Sequence, residues 1–199
     1  GFVDTINGLM ETAQQTNDYL PVWDEMNLVR SYSYQPWATS HSNEYWGKNQ
    51  ARAAYRTSKS CGNNCDYDVD FDLAALGVLD KPATLADLDF PQPVARGSAN
   101  GTVLYRLKEG IERFFITDIN NPAGSAKAQS SIAIWFDGLG ADNKASGTTS
   151  LMGFNHIPGG CNVLFLDGHV EFIKYQEGPD GTYPVTEVVA RLGTGGSGR

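Results

Sequence analysis

Two alternating apolar segments, Val163–Leu166 and His169–Ile173, flank the dipeptide Asp167-Gly168. Asp and Gly tolerate the positive φ angles of a type I′ turn, whose twist suits two paired strands. The pattern predicts an antiparallel β-hairpin and commits this end of the chain to an antiparallel sheet. Ser131–Phe136 (SIAIWF) and Thr102–Leu107 show alternation of the same kind and read as further strands. A Gly- and Asp-bearing loop is expected over Asp137–Gly153.

Helical periodicity is clearest at the other end. Phe2, Ile6, Leu9, Met10, Ala13, Asn17 and Leu20 fall near helical spacing, with Asp4, Glu11, Gln14 and Gln15 on other faces. Pro21 closes the segment, and a short helical stretch over Trp23–Arg30 follows. Glu109–Ile119 also reads as a helix, with Ile111, Phe114, Phe115 and Ile119 on one face. Leu73–Leu79 and Leu85–Leu88 read as short helical turns. The stretch 31–101 is otherwise irregular, with Tyr32, Tyr34, Trp37, Tyr45 and Trp46 set among Ser, Asn and Pro. It reads as a long loop-rich insertion pinned to the core by its aromatic residues. Trp37, Tyr45 and Trp46 either stack on sugar rings or lid a small sheet, and the lid is favoured. The tail 193–199 is Gly-rich and reads as a flexible end.

A chain of 199 residues is long enough for one sizeable core. Its 41% hydrophobic and 19% charged residues are ordinary globular material. Lys and Arg number 15 against 23 Asp and Glu, a formal charge of −8, and the isoelectric point is near 4.8. That balance argues against nucleic acid as a partner, since phosphate contacts need clustered cations. No apolar run reaches the roughly 20 residues that span a bilayer. Cys61 and Cys65, in CGNNC, are close enough along the chain to be bridged, whereas Cys161 reads as a buried thiol.

The acidic run Asp66–Asp72 alternates acid with apolar residues. It gives either a solvated acidic strand face or a calcium-seeking loop, but not an EF-hand. The sixth and twelfth positions of that loop, Phe71 and Gly77, stand where Gly and Glu are required. Nucleophile-elbow, phosphate-loop, dinucleotide and zinc-protease motifs are missing. Histidines number three: His41, His156 and His169. His156, Asp167 and His169, with Asp137 as a fourth ligand, would make a metal site only if their side chains converge. Asp167 and His169 should point to opposite faces if the strand continues. His156 therefore reads as a structural hydrogen-bonding residue and Asp167 as a turn residue capping its own backbone.

The segment Phe154–Tyr175, FNHIPGGCNVLFLDGHVEFIKY, resembles bacterial type II secretion pseudopilins and type IV pilin-like proteins. The likeness is to the planctomycete-type group with a C-terminal, processing-associated His-X9-Asp-Gly motif. His156 and Asp167-Gly168 match it with ten intervening residues instead of nine; the extra residue lies near Pro158-Gly159-Gly160. Arg106–Ser131 looks like the same group, and Tyr34–Trp37 and Cys65–Leu73 do so more loosely. The resemblance implies an α+β, pilin-like head: an N-terminal helix packed on an antiparallel sheet, with long irregular insertions. It implies a prepilin peptide cleaved after Gly, a methylated Phe and a long apolar helix. Gly1-Phe2 matches that junction, but Val3–Asn7 is too polar to be the membrane stretch. Residues 2–20 are then expected to be the periplasmic, amphipathic half of the helix. The implied protein is a non-enzymatic structural subunit, periplasmic or at the cell surface and anchored in the inner membrane. Its partners would be other pilin-like subunits. Related pseudopilins hold calcium in a C-terminal loop, which makes Asp137 and Asp142 the candidate ligands. The alternatives are a cell-surface carbohydrate- or ligand-binding module and, behind it, a metal-dependent hydrolase.

Overall fold

A computed structural model describes residues 8, 10–12, 14–15, 32–61, 65–85, 88–116, 128–141, 152–154 and 159–195. In chain order its elements are β1 (Tyr32–Tyr34), α1 (Ser42–Lys59), β2 (Phe71–Asp72) and β3 (Val103–Leu104). β4 (Ala133–Asp137), β5 (Leu139–Ala141), β6 (Met152–Phe154), β7 (Gly160–Phe165), β8 (Val170–Lys174) and α2 (Glu187–Gly195) follow. The architecture is α+β: helices with antiparallel sheets. The main sheet has the order β1-β4-β7-β8, with β2-β3 and β5-β6 as two-stranded ribbons.

The hairpin forms, with Leu164 opposite Val170 and Gly160 opposite Lys174. Its turn is not type I′. Gly168 N–H donates to Phe165 O at 3.0 Å, Gly168 has φ +89°, and Asp167 is not in the positive-φ region. Phe165 and His169 then rejoin the ladder across a three-residue loop, a type I turn with a glycine bulge. At the other end, Gly159 takes φ +100° and packs against Phe154. A Cβ at Gly160 would lie 2.4 Å from Ile173 O, so only glycine lets β7 start this close to β8.

Alternation along these strands sorts their side chains onto two faces. Phe136, Cys161, Val163, Phe165 and Ile173 point inward, where they meet Val185, Val188, Val189 and Leu192 of α2 and its approach, together with Tyr45 of α1. α2 is capped by Thr186, whose hydroxyl accepts from Val189 N–H at 3.2 Å, and is braced by an ion pair between Glu187 and Arg191. The helix continues to Gly195, so the expected loose tail 193–199 is helical over its first three residues.

The loop-rich reading of 31–101 is corrected most. α1 runs for 18 residues inside it. Glu44 and Lys48 occupy buried positions of this helix, where a periodicity search looks for apolar residues, and Gly47 interrupts its centre. Gly47 is there for closeness: a Cβ would overlap Arg96 O. Around α1, Trp37, Ala51, Phe71, Leu73, Val78, Ala95 and Leu104 form a second core cluster.

Other elements differ in extent. The Thr102–Leu107 strand is reduced to β3, and Glu109–Ile119 to a single 3-10 turn at Ile111–Phe115, entered through Gly110 at φ +76°. Residues 117–119 lie outside the described residues. The 137–153 loop contains the β5-β6 ribbon. Leu73–Gly77 makes one turn, and Leu85 and Leu88 are not helical. At the amino end Gly8, Met10, Glu11, Thr12, Gln14 and Gln15 are helical, and Thr12 Oγ1 donates to Gly8 O at 3.0 Å. The remaining stripe residues Phe2, Ile6, Leu9, Ala13, Asn17 and Leu20, and the stretch 21–30, lie outside the described residues.

The two hairpin glycines should fail differently when given a side chain. Gly160→Ala is expected to cost about 1–3 kcal/mol, because backbone must move. Gly168→Ala, with open space around it, should cost on the order of 1 kcal/mol of strain. Denaturant midpoints of the two variants test the order; equal losses would contradict the close-approach explanation.

Candidate functional site

The outward face of a half-buried antiparallel sheet is normally polar. Here it is so only in part. Asp137 on β4, Asn162 on β7 and Lys174 on β8 are outward, but Tyr32 and Tyr34 on β1, Trp135 on β4, Leu164 on β7, and Val170 and Phe172 on β8 share the face. Tyr32 is 56% exposed, Tyr34 54%, Trp135 44%, Val170 63% and Phe172 44%. Cross-strand pairing makes them neighbours: Tyr34 lies opposite Trp135, Trp135 opposite Leu164, and Leu164 opposite Val170. The Trp135 ring is 5.6 Å from that of Tyr34 and 6.3 Å from that of Tyr32. A contiguous apolar patch of this kind marks a surface that meets something. Tyr32, Trp135, Asp137, Asn162, Leu164 and Val170 line a shallow depression of about 270 Å³ in it.

Asp137 is not a loop residue. It ends β4 and is buried, with Oδ2 accepting from Asn162 N–H at 2.7 Å and Asn162 Nδ2 at 2.9 Å. This carboxylate fastens β4 to β7 at the edge of the depression. Its proposed calcium partner Asp142 and the motif residue His156 lie outside the described residues. Among the described residues, no group of three or more His, Cys, Asp and Glu side chains is placed to hold a metal.

Asp167 and His169 do meet, contrary to expectation: residues two apart share a side of the chain, and the turn brings the carboxylate back onto His169. Asp167 Oδ1 accepts from His169 N–H at 3.1 Å and sits 2.5 Å from His169 Nδ1, while the imidazole stacks on Phe165 at 4.5 Å. The backbone N–H of His169, and then its ring, hold the Asp167 carboxyl below its ordinary value. The pair closes the hairpin tip. The matched motif residues in the described region thus serve backbone geometry: Gly159 and Gly168 take positive φ, Gly160 gives close approach, and Asp167 caps.

Trp37, 2% exposed, is stacked on Phe71 at 5.0 Å and donates from Nε1 to Val69 O at 3.0 Å. Tyr45 is buried as well, and half-buried Trp46 donates to Lys81 O at 2.9 Å. These aromatics are core. Two of the four acids in the run are ion-paired, Asp68 with Arg106 at 3.2 Å and Asp70 with Lys108 at 2.9 Å, while Asp66 and Asp72 accept from the backbone N–H groups of Asp68 and Ala75. Cys61 and Cys65 are joined by a disulfide just beyond the end of α1. Cys161 is a free, buried thiol that burial, helped by Asp137, pushes up to about 12, so it is no nucleophile.

The sequence reading missed a buried polar knot on α1. Lys48 Nζ donates to Gln35 Oε1 at 2.7 Å and lies 3.6 Å above the centre of the Tyr45 ring. Glu44 accepts from Ser40 N–H at 2.6 Å and Asn100 N–H at 2.9 Å. Thr39 and Tyr183 share a 2.6 Å hydrogen bond. Burial raises the Glu44 carboxyl and, with nearby Arg52, drives the Lys48 amine well below its ordinary value. Burial also raises the Tyr45 phenol to about 12 and holds that of Tyr183 well above its ordinary value. The knot ties α1 to the end of β1, the 98–100 turn and the approach to α2.

No protein-family model, curated protein or solved structure matches this chain.

The Lys48 amine has a lower pKa folded than unfolded, so the folded chain releases that proton first. Its effect on unfolding free energy therefore rises with pH, from the folded value up to the ordinary 10.5. Tyr45 and Tyr183 oppose this only above their ordinary value of 10.0. Between about pH 8 and 10 the urea midpoint of the native chain should climb relative to that of Lys48→Met. Parallel curves would show that Lys48 does not titrate in the folded state.

Proposed function

We propose that this chain is the head of a non-enzymatic, pilin-like structural subunit of the pseudopilin class. In this reading it assembles through its amino-terminal helix and presents surface loops to partners or cargo. The carrying observation is the build of the hairpin that bears the family-like motif. Gly159, Gly160, Asp167 and Gly168 are used for turn and close-packing geometry, with no reactive group left over among them. A turn held to one shape suits a subunit that must present a fixed surface.

Three further observations support the reading. The architecture is α+β with an antiparallel sheet, as a pilin-like head requires. The described amino-terminal residues are helical. A disulfide at Cys61–Cys65 suits an exported compartment. Of the aromatics first assigned to the carbohydrate-binding alternative, Trp37 and Tyr45 are buried, and Trp46 is half-buried with its indole N–H on Lys81 O. No helix among the described residues is long and apolar enough to cross a membrane. Calcium at Asp137 and Asp142 is not needed for it, because Asp137 already has a structural role on Asn162.

The test is expression of the full gene product, with whatever precedes Gly1, alongside a prepilin peptidase. The expected outcome is peptidase-dependent shortening, recovery in the inner-membrane fraction and a ladder of cross-linked multimers. An unprocessed, freely diffusing monomer would reject the proposal.

A further inference from the structure

We infer that copies of this chain join edge to edge, with β8 (Val170–Lys174) of one copy pairing antiparallel to β1 (Tyr32–Tyr34) of the next, so that the main sheet runs on from head to head. This deepens the filament-subunit reading by naming a contact between heads. It rests on that reading only for the crowding that lets a short strand pair suffice.

Backbone bonding on the two edges carries the inference. β1 and β8 are the outer strands of the sheet, and among the described residues neither has a strand beyond it. Gln35 N–H donates to Ile134 O at 2.8 Å, and bonded pairs alternate along an antiparallel ladder. Ser33 therefore bonds to β4, while Tyr32 and Tyr34 aim their N–H and C=O groups away from it. On β8, Phe165 N–H donates to His169 O at 3.0 Å and Tyr175 N–H to Gly159 O at 3.1 Å. Glu171 and Ile173 thus bond to β7, and Val170, Phe172 and Lys174 present their backbone groups to the other side. Such an edge is a template for another strand.

Three features select β1 of a second copy as that strand. Direction is the first. Every neighbouring pair is antiparallel, so β1 and β8 run oppositely, and a copy displaced sideways brings its β1 antiparallel to β8. Facing is the second. On both edges the residues with outward backbone groups are those whose side chains lie on the open face, so pairing continues that face without a flip. Complementarity is the third. In the register that sets Tyr32 opposite Phe172 and Tyr34 opposite Val170, Ser33 falls opposite Glu171. An aromatic then meets an aromatic, an aromatic meets a β-branched residue, and a hydroxyl meets a carboxylate. Ser33 Oγ accepts from Gln35 Nε2 at 2.9 Å, which leaves its own proton to donate.

Glu171 also disfavours the simplest rival. β8 against a second β8, centred on Phe172, would set Glu171 opposite apolar Ile173 and place the two Glu171 carboxylates on one diagonal. The β8-to-β1 contact is heterologous and leaves an open edge at each end, so it propagates, and sheet twist winds the row into a helix. So short a strand pair buries far less than the roughly 1,600 Å² of a standard interface, so free heads associate weakly. Heads held side by side at about millimolar effective concentration would pair.

The test uses the intact chain at about 1 mM, the effective concentration of a short tether. A bonded antiparallel pair has Cα atoms about 5.5 Å apart, within disulfide reach. Tyr32→Cys and Phe172→Cys, mixed as separate single variants and mildly oxidised, should give mixed dimers at least tenfold in excess of either like dimer. Both substitutions in one chain should give a reducible ladder of dimers, trimers and longer species. A proline gives an independent readout. Phe172 N–H is not used within the sheet, so Phe172→Pro should leave the far-ultraviolet circular dichroism unchanged. Added to a chain carrying Tyr34→Cys and Val170→Cys, it should reduce cross-linking at least tenfold. If the proline unfolds the chain, the mixing test decides alone. Like dimers of Phe172→Cys in excess of mixed ones would overturn the inference in favour of a two-fold β8 contact. Cross-linking that survives Phe172→Pro in a folded chain would overturn it, because the contact would not be backbone pairing. Absence of cross-links in every combination would overturn it outright. None of these readouts measures processing or membrane recovery. A head that cross-links but is never processed leaves this inference standing without the filament reading, and processed multimers that lack these cross-links leave the reading standing without the inference.

Discussion

The fold depends on one apolar contact: the inner face of the main sheet against α2. Val185, Val188, Val189 and Leu192 are buried against Phe136, Cys161, Val163, Phe165 and Ile173. Each large side chain buried there contributes roughly 1.5–3 kcal/mol. Without that layer β7 and β8 would be an isolated hairpin, which is marginal in water. The contact also sets the outer surface, because burying one side chain set on the period-two strand turns the other set outward. The exposed Trp135 row is the geometric consequence of the buried Phe136 row.

Elements held by local sequence rules were legible in the sequence. The hairpin was found because apolar alternation and a turn dipeptide agree, and the β4 strand because its alternation is clean. The turn type was not, since Asp-Gly serves a type I′ turn and a bulged type I turn equally well, and only the ladder decides. α1 was missed because tertiary partners override its local pattern. Lys48 is buried by Gln35 and the Tyr45 ring, and Glu44 by the N–H groups of Ser40 and Asn100. None of these pairings is visible as hydrophobic periodicity. α2 did carry a signal: Thr186 as a cap, then apolar residues at 188, 189 and 192. The Gly-rich tail drew attention away from it.

The candidate site was half legible. The motif glycines and Asp167 were identified, and their use in turn geometry follows from residue type alone. The open aromatic face was invisible, because Tyr32 and Tyr34 lie about 100 positions from Trp135 and further from Val170. Only the register of β1 on β4, and of β4 on β7, brings them together. Trp37 and Tyr32 differ little as sequence signals, five positions apart in one aromatic stretch, yet one is a core residue and the other a surface one.

A two-sided sheet is thus the unit on which the proposed role rests: one side is sealed by α2, and in that proposal the other would receive the amino-terminal helix. Amide hydrogen exchange along residues 2–20 of the intact chain measures that second seal directly. The account predicts protection of the segment at least about a hundredfold above free-peptide rates, of the order expected for a docked element. Exchange at free-peptide rates while β4 and β7 stay protected would contradict it.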